Sequence, residues 1–167
     1  MSGALLIRDA EPLDVPAVAE IFAHYAVQTV TTFETSPLPA SYWLDKLTDA
    51  GRSGHPFLVG VLDTTVVGYA YAVAWRTKPG YAHTVEDSIY LRADLTGRGF
   101  GGALLAELVS RCATSGFRQM IAVIADSGDP ASLALHRRAG FTEAGRLRAV
   151  GCKHQRWLDT VLMQRQL

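Results

Sequence analysis

The residues with the clearest chemical potential lie in Leu95-Thr96-Gly97-Arg98-Gly99-Phe100-Gly101-Gly102, where glycines surround an arginine. Glycine lets a backbone adopt positive φ and come close to a ligand. Free N–H groups at a helix start, with the helix dipole behind them, suit a phosphate, and Arg98 adds a fixed positive charge. Such a stretch can hold a pyrophosphate, and taken alone it can equally be a turn. The Walker pattern is absent because no Gly-Lys-Ser/Thr end follows. The dinucleotide fingerprint is met locally, since Asp126 ends the next apolar segment. Two segments that read as an antiparallel hairpin precede the loop, however, and a Rossmann unit does not place them there. Two titratable groups flank the loop. Glu86, in the segment before it, is a base if partly desolvated and otherwise a strand carboxylate facing water. Its neighbour Asp87 is the weaker candidate base, because it should face the opposite side of the strand. His136 lies further on; its imidazole can donate a proton near neutral pH or simply cap and pack a helix.

The elements that must position these groups follow from hydrophobic spacing. Leu5-Leu6-Ile7 opens a sheet, and Glu11-Pro12 introduces a helix whose buried face is Val15, Val18, Ala19, Phe22 and Tyr25. The pattern breaks over residues 29–39. Ser41 is the expected N-cap of a second helix, Tyr42 to Ala50, with Gly51 as its stop. Phe57–Leu62 and Val66–Val73, separated by Asp63-Thr64-Thr65, read as an antiparallel hairpin. A third strand runs from Thr84 to Arg92, a glycine loop from Asp94 to Gly102, and an amphipathic helix from Ala103 to Ser115. Met120–Ala125 reads as a strand buried on both faces. A short helix, Ala131 to Ala139, and two final strands complete the chain. This order implies one α+β domain over residues 1–167, a mixed central sheet flanked by helices.

Composition narrows the function classes. The 167 residues are 49% hydrophobic and 19% charged, with sixteen acidic and sixteen Lys or Arg residues. That balance speaks against nucleic acid, which favours a basic excess. Cys112 and Cys152 are far apart and unpaired by any CxxC spacing, so neither a metal site nor a disulfide is expected. No signal-peptide pattern opens the chain and no apolar run is long enough for a membrane span. The expectation is a cytoplasmic protein.

Thr96-Gly97-Arg98-Gly99-Phe100-Gly101 resembles the Gln/Arg-x-x-Gly-x-Gly/Ala signature of the GNAT acetyltransferase superfamily, with Thr96 in place of the usual Gln or Arg. Thr32-Phe33-Glu34, Gly68–Tyr71, His83–Tyr90, Leu135–Phe141 and the stretch from Val150 to Arg165 are similar to phosphinothricin acetyltransferases. The likeness runs from about residue 5 to the C-terminus.

This resemblance implies acetyl-CoA as co-substrate and no metal. It places pyrophosphate contacts at Gly97, Arg98, Gly99, Phe100, Gly101 and Gly102. The backbone of Ile89, Tyr90 and Leu91 would hold the pantetheine arm by strand-like pairing. Asp129 stands where related enzymes often carry Asn. Glu86 matches the position of the proposed general base, and His136 the position where many relatives have a tyrosine proposed as acid. The implied acceptor is a small amino acid such as phosphinothricin, methionine sulfoximine or methionine sulfone. Arg76 would clamp its carboxylate through a bidentate fork, with Lys78 less suited. Phe33, Trp75 and Tyr81 could wall its side chain or pack in the core, packing being the plainer role for Trp75 and an equal alternative for the other two. A homodimer is implied as well. Acetylation of another amine or a protein N-terminus is the alternative, and a silent acetyl-CoA-binding module the third.

Overall fold

The computed structural model describes residues 3–167. Seven strands form one sheet in the order β1-β2-β3-β4-β5-β7-β6. They are β1 (Leu5–Asp9), β2 (Phe57–Leu62), β3 (Thr65–Ala74), β4 (Thr84–Leu91), β5 (Gln119–Ala125), β6 (Thr142–Lys153) and β7 (Arg156–Gln166). All neighbours pair antiparallel except β4 and β5. A parallel pair needs a crossover, which α3 (Phe100–Thr114) supplies. The mixed α+β architecture expected from the element order is therefore present.

Each face of the sheet has its own core. Leu58, Ala70, Ala72, Val85, Met120 and Ala122 pack on one side against Leu104, Leu105, Leu108 and Cys112 of α3. The intervening residues Phe57, Val59, Tyr69 and Tyr71 point the other way. They meet α1 (Val15–Gln28) and α2 (Ala40–Ser53) through Phe22 and Trp43. The short α4 (Ala131–Arg138) lies on the α3 side, against β5.

Two boundaries and one burial pattern differ from the sequence-based expectation. Helix α2 begins at Ala40 and continues through Gly51 to a left-handed cap at Gly54, φ 67°. One internal glycine costs only about 1 kcal/mol of propensity, so Gly51 does not stop the helix. Helix α3 starts at Phe100, after Gly99 at φ 85°, and Gly101 and Gly102 belong to its first turn. Strand β5 is covered on one face by α3 and α4, whereas Val123 on the other is 40% exposed.

The pairing of β4 with β5 spans Thr84–Asp87 against Gln119–Ala122 and then stops. Beyond it β4 continues to Leu91 and β5 to Ala125, each bonded only to its outer neighbour. The two strands diverge there, leaving strand-edge N–H and C=O groups without a ladder partner inside the sheet. Helix α3 begins just past that opening.

Candidate active site

The glycine loop is shaped for close approach. Gly97 and Gly99 sit at φ 76° and 85°, in the left-handed region that favours glycine. A Cβ at Gly97, Gly99 or Gly102 would meet nothing within 4 Å, so this surface is open. Gly101 turns inward, and a Cβ there would lie 3.3 Å from Leu91 and 3.6 Å from Leu135. Small size at Gly101 thus draws α3 against β4 and α4. The first intrahelical acceptor is the Gly99 carbonyl, bonded by Ala103 N–H at 3.2 Å, so the N–H groups of Phe100, Gly101 and Gly102 face outward without helical partners. Arg98 is exposed beside them. Thr96 turns its hydroxyl onto the Ala93 carbonyl, 3.2 Å away, and so closes the turn before the loop.

Glu86 lies on the α1–α2 side of β4, opposite Val73 of β3. Its carboxyl titrates above the ordinary range, chiefly because burial disfavours the charge. The neighbouring Asp87 adds to this, while Arg76 and Lys46 oppose it. This is the environment of a proton acceptor poised nearer neutrality than a free glutamate.

Asp87 points to the other face, as strand alternation requires, and it is not idle there. It is 6% exposed, and its Oδ2 lies 3.0 Å from His136 Nε2. His136, 3% exposed, also bonds the Ser132 carbonyl through Nδ1 at 2.8 Å. Burial works against the imidazolium, but Asp87 and Ser132 outweigh it and the ring titrates above its ordinary value. The structure therefore does not bring Glu86 and His136 together. They flank the start of the β4–β5 divergence from opposite faces of the sheet. Both His136 nitrogens are committed, so its release of a proton requires Nε2–H to part from Asp87.

The remaining expected residues divide into two groups. Ile89 and Leu91 pack against the α3 core, while Tyr90 turns to the aromatic cluster with Phe22, Tyr25 and Tyr69. Burial pushes the Tyr90 phenol up to about 12. The Leu91 carbonyl accepts a 2.6 Å bond from the Tyr25 hydroxyl, fixing the far end of β4. Asp129 Oδ1 accepts the Ala131 N–H at 2.9 Å, capping the start of α4. It also lines a cavity of about 390 Å³ with Thr29, Thr31, Ser127, His154 and Arg156.

On the other group, Arg76 stacks over Trp75 at 3.8 Å and bonds the Trp75 carbonyl at 3.0 Å. Its guanidinium is exposed and near enough to Glu86 to stabilise its charge. Tyr81 is 45% exposed and Phe33 38%. Neither is sequestered in the core, and Trp75 serves as the platform beneath Arg76.

Sequence reasoning missed three contributors. Strand alternation turns Asp87, the weaker candidate base, away from Glu86 but does not reveal its pairing with His136. Lys46, on α2, approaches the Tyr71 ring at 4.7 Å and influences Glu86. Lys153, at the end of β6, is buried. Spacing along α2 marks position 46 as partly inward, but nothing local to residue 153 shows that its partners are more than a hundred residues away.

The sequence profile of the Acetyltransferase (GNAT) family matches residues 18–141. A phosphinothricin N-acetyltransferase from Alcaligenes faecalis is 41% identical over 98% of this chain and 83% of its own length. An L-methionine sulfoximine/L-methionine sulfone acetyltransferase from Pseudomonas aeruginosa is 38% identical over 96% of this chain and 94% of its own. A crystal structure of a GNAT superfamily phosphinothricin acetyltransferase from Sinorhizobium meliloti, in complex with AcCoA, superposes with TM-score 0.93. It is 43% identical, over 98% of this chain and 88% of that one. With an open glycine cradle at a helix start beside diverging parallel strands, and these relatives along nearly its whole length, the chain belongs to the GNAT acetyltransferase family.

Proposed function

We propose that the protein transfers the acetyl group of acetyl-CoA to the α-amine of a small L-amino acid analogue, of the phosphinothricin, methionine sulfoximine or methionine sulfone kind. The observation that carries this reading is the half-buried Glu86, its pKa raised, standing between Arg76 and the mouth of the β4–β5 divergence. Relatives of about 40% identity named for those acceptors support it.

Acetyl-CoA fits the residues present. The open Gly97–Gly102 cradle, three outward N–H groups and Arg98 suit a pyrophosphate, and the unladdered edge of Ile89–Leu91 suits an amide-bearing arm. Acetyl-CoA supplies an activated acyl carbon at the divergence. The chain's own work is to present a neutral amine to it. Arg76 holds the acceptor carboxylate, which sets the ammonium toward Glu86, and Glu86 takes the proton directly or through water. His136 has the lesser role, on the donor face. Its Nε2 hydrogen is shared with Asp87, and a CoA thiolate is a good leaving group without an acid. His136→Phe is therefore expected to lower turnover less than Glu86→Gln.

The same reading includes a cytoplasmic homodimer. The homodimer's support is the long edge strand β6 and exposed Leu147, Val150 and Trp157 on the β6–β7 hairpin.

The acceptor assignment is tested by comparing each amino acid with its decarboxylated amine and with a peptide bearing a free N-terminus. The amino acid is expected to be strongly preferred, and Arg76→Ala to raise its KM with little change in kcat. Equal use of the peptide, or an unchanged KM in Arg76→Ala, contradicts the carboxylate clamp.

A further inference from the structure

Lys153 closes β6 with 2% of its surface exposed, and among the described residues no ion pair includes it. Burial lowers its amine pKa, opposed by Glu34. A lone sealed ammonium is costly unless its hydrogens are used. Here Nζ donates to the Thr32 carbonyl at 2.9 Å and the Tyr25 carbonyl at 3.3 Å. Tyr25 lies in the last turn of α1, where carbonyls lack helical partners and the dipole favours a cation. Thr32 lies in the irregular segment between α1 and α2, one residue before Phe33.

Gly151 lies two residues earlier on the same strand. A Cβ built there would run into Phe33, whose Cδ1, Cε1 and Cζ are its three nearest atoms. Gly151 is not among the positive-φ glycines, so its small size matters here and its conformational freedom does not. The end of β6 thus grips one short segment twice, its backbone through Lys153 and its aromatic ring through the space at Gly151.

We propose that Lys153 and Gly151 are positioning residues that seat Phe33 against the β6–β7 hairpin and so set the room left for the acceptor's side chain. The proposal rests on the acceptor reading above, in which Phe33 walls that side chain. Neither residue needs to touch the substrate. Their influence passes through Phe33, which predicts a change confined to the acceptor side of the kinetics.

The test is steady-state kinetics of Gly151→Ala and Lys153→Met, with Gly151→Ala repeated in a Phe33→Ala background. Lys153→Met keeps the unbranched stem and removes the three donors. Each single variant is expected to raise the acceptor KM roughly tenfold and leave the acetyl-CoA KM within about twofold. In the Phe33→Ala background the added methyl has no ring to displace, so Gly151→Ala should have no further effect. Equal effects in both backgrounds, or an acetyl-CoA KM that moves as far as the acceptor KM, overturn the proposal. Hydrogen exchange of the Thr31 and Glu34 amides, which donate to the Thr29 and Thr32 hydroxyls, gives a readout that needs no acceptor, and it should quicken in Lys153→Met. Unchanged exchange contradicts the latch. If the wild type acetylates no amino acid but exchange quickens as expected, only the acceptor reading fails and the latch stands.

Discussion

Replacing Glu86 by Gln keeps the shape of the side chain and removes its capacity to take a proton. With Glu86 as base, Glu86→Gln lowers kcat by about 10²–10⁴-fold, the usual worth of a positioned base. The same substitution has a stability consequence of definite sign. Burial raises the Glu86 pKa, so the folded chain binds that proton more tightly than the unfolded one. The stability it contributes is complete below the ordinary carboxylate range and is lost as pH rises through the raised value. Glu86→Gln should therefore melt at a higher temperature than wild type near neutral pH, and gain nothing below about pH 4. An inactive variant that is also more stable is the signature of a base held at a cost to the fold. A Tm unchanged at both pH values contradicts the desolvation argument.

Between elements, the linkage that matters is α4 to β4 through His136 and Asp87. The imidazolium is favoured in the fold by Asp87 and the Ser132 carbonyl, and burial only partly offsets them. Its pKa is raised, so its contribution to stability is fully present below about pH 6.5, the unfolded value. It is lost as pH rises through the folded value. Asp87→Asn removes the carboxylate charge and should flatten that part of the Tm–pH profile, while a profile identical to wild type would show that the pair is not coupled. This pairing was only half legible in the sequence. Strand alternation placed Asp87 away from Glu86, but its partner lies in a helix 49 positions on, a separation no local pattern reports. The β2–β3 hairpin and the crossover helix were legible, because hydrophobic period and turn residues are local. The start of α3 was misread because glycines suggest loop, whereas here Gly101 and Gly102 form a first helical turn and leave its N–H groups uncovered. The one-sided cover of β5 was equally invisible, since a continuous apolar run does not reveal that Val123 lies beyond the reach of α1 and α2.

At the scale of the molecule, the proposed chemistry gathers where the sheet opens. The glycine cradle reaches the opening from the α3 face, and Glu86 with Arg76 from the α1–α2 face. The hairpin β6–β7, at the far edge of the sheet, returns to hold the segment carrying Phe33. The same hairpin leaves Leu147 and Trp157 exposed, at 47% and 71%, and the homodimer reading assigns these to a self-complementary contact. Leu147→Glu with Trp157→Glu should shift the species seen by sedimentation from dimer to monomer. A mass unchanged by both substitutions would move the contact elsewhere.

The central claim is acetyl transfer to a small amino acid, and thiol release from acetyl-CoA measures it most directly. Purified protein is incubated with acetyl-CoA and, separately, phosphinothricin, methionine sulfoximine, methionine sulfone and a set of ordinary L-amino acids, with acetyl-CoA binding measured in parallel. The expected result is acceptor-dependent release with at least one of the three analogues, at a rate that Glu86→Gln lowers at least about a hundredfold while acetyl-CoA still binds. Binding of acetyl-CoA without release from any amino acid would contradict the account.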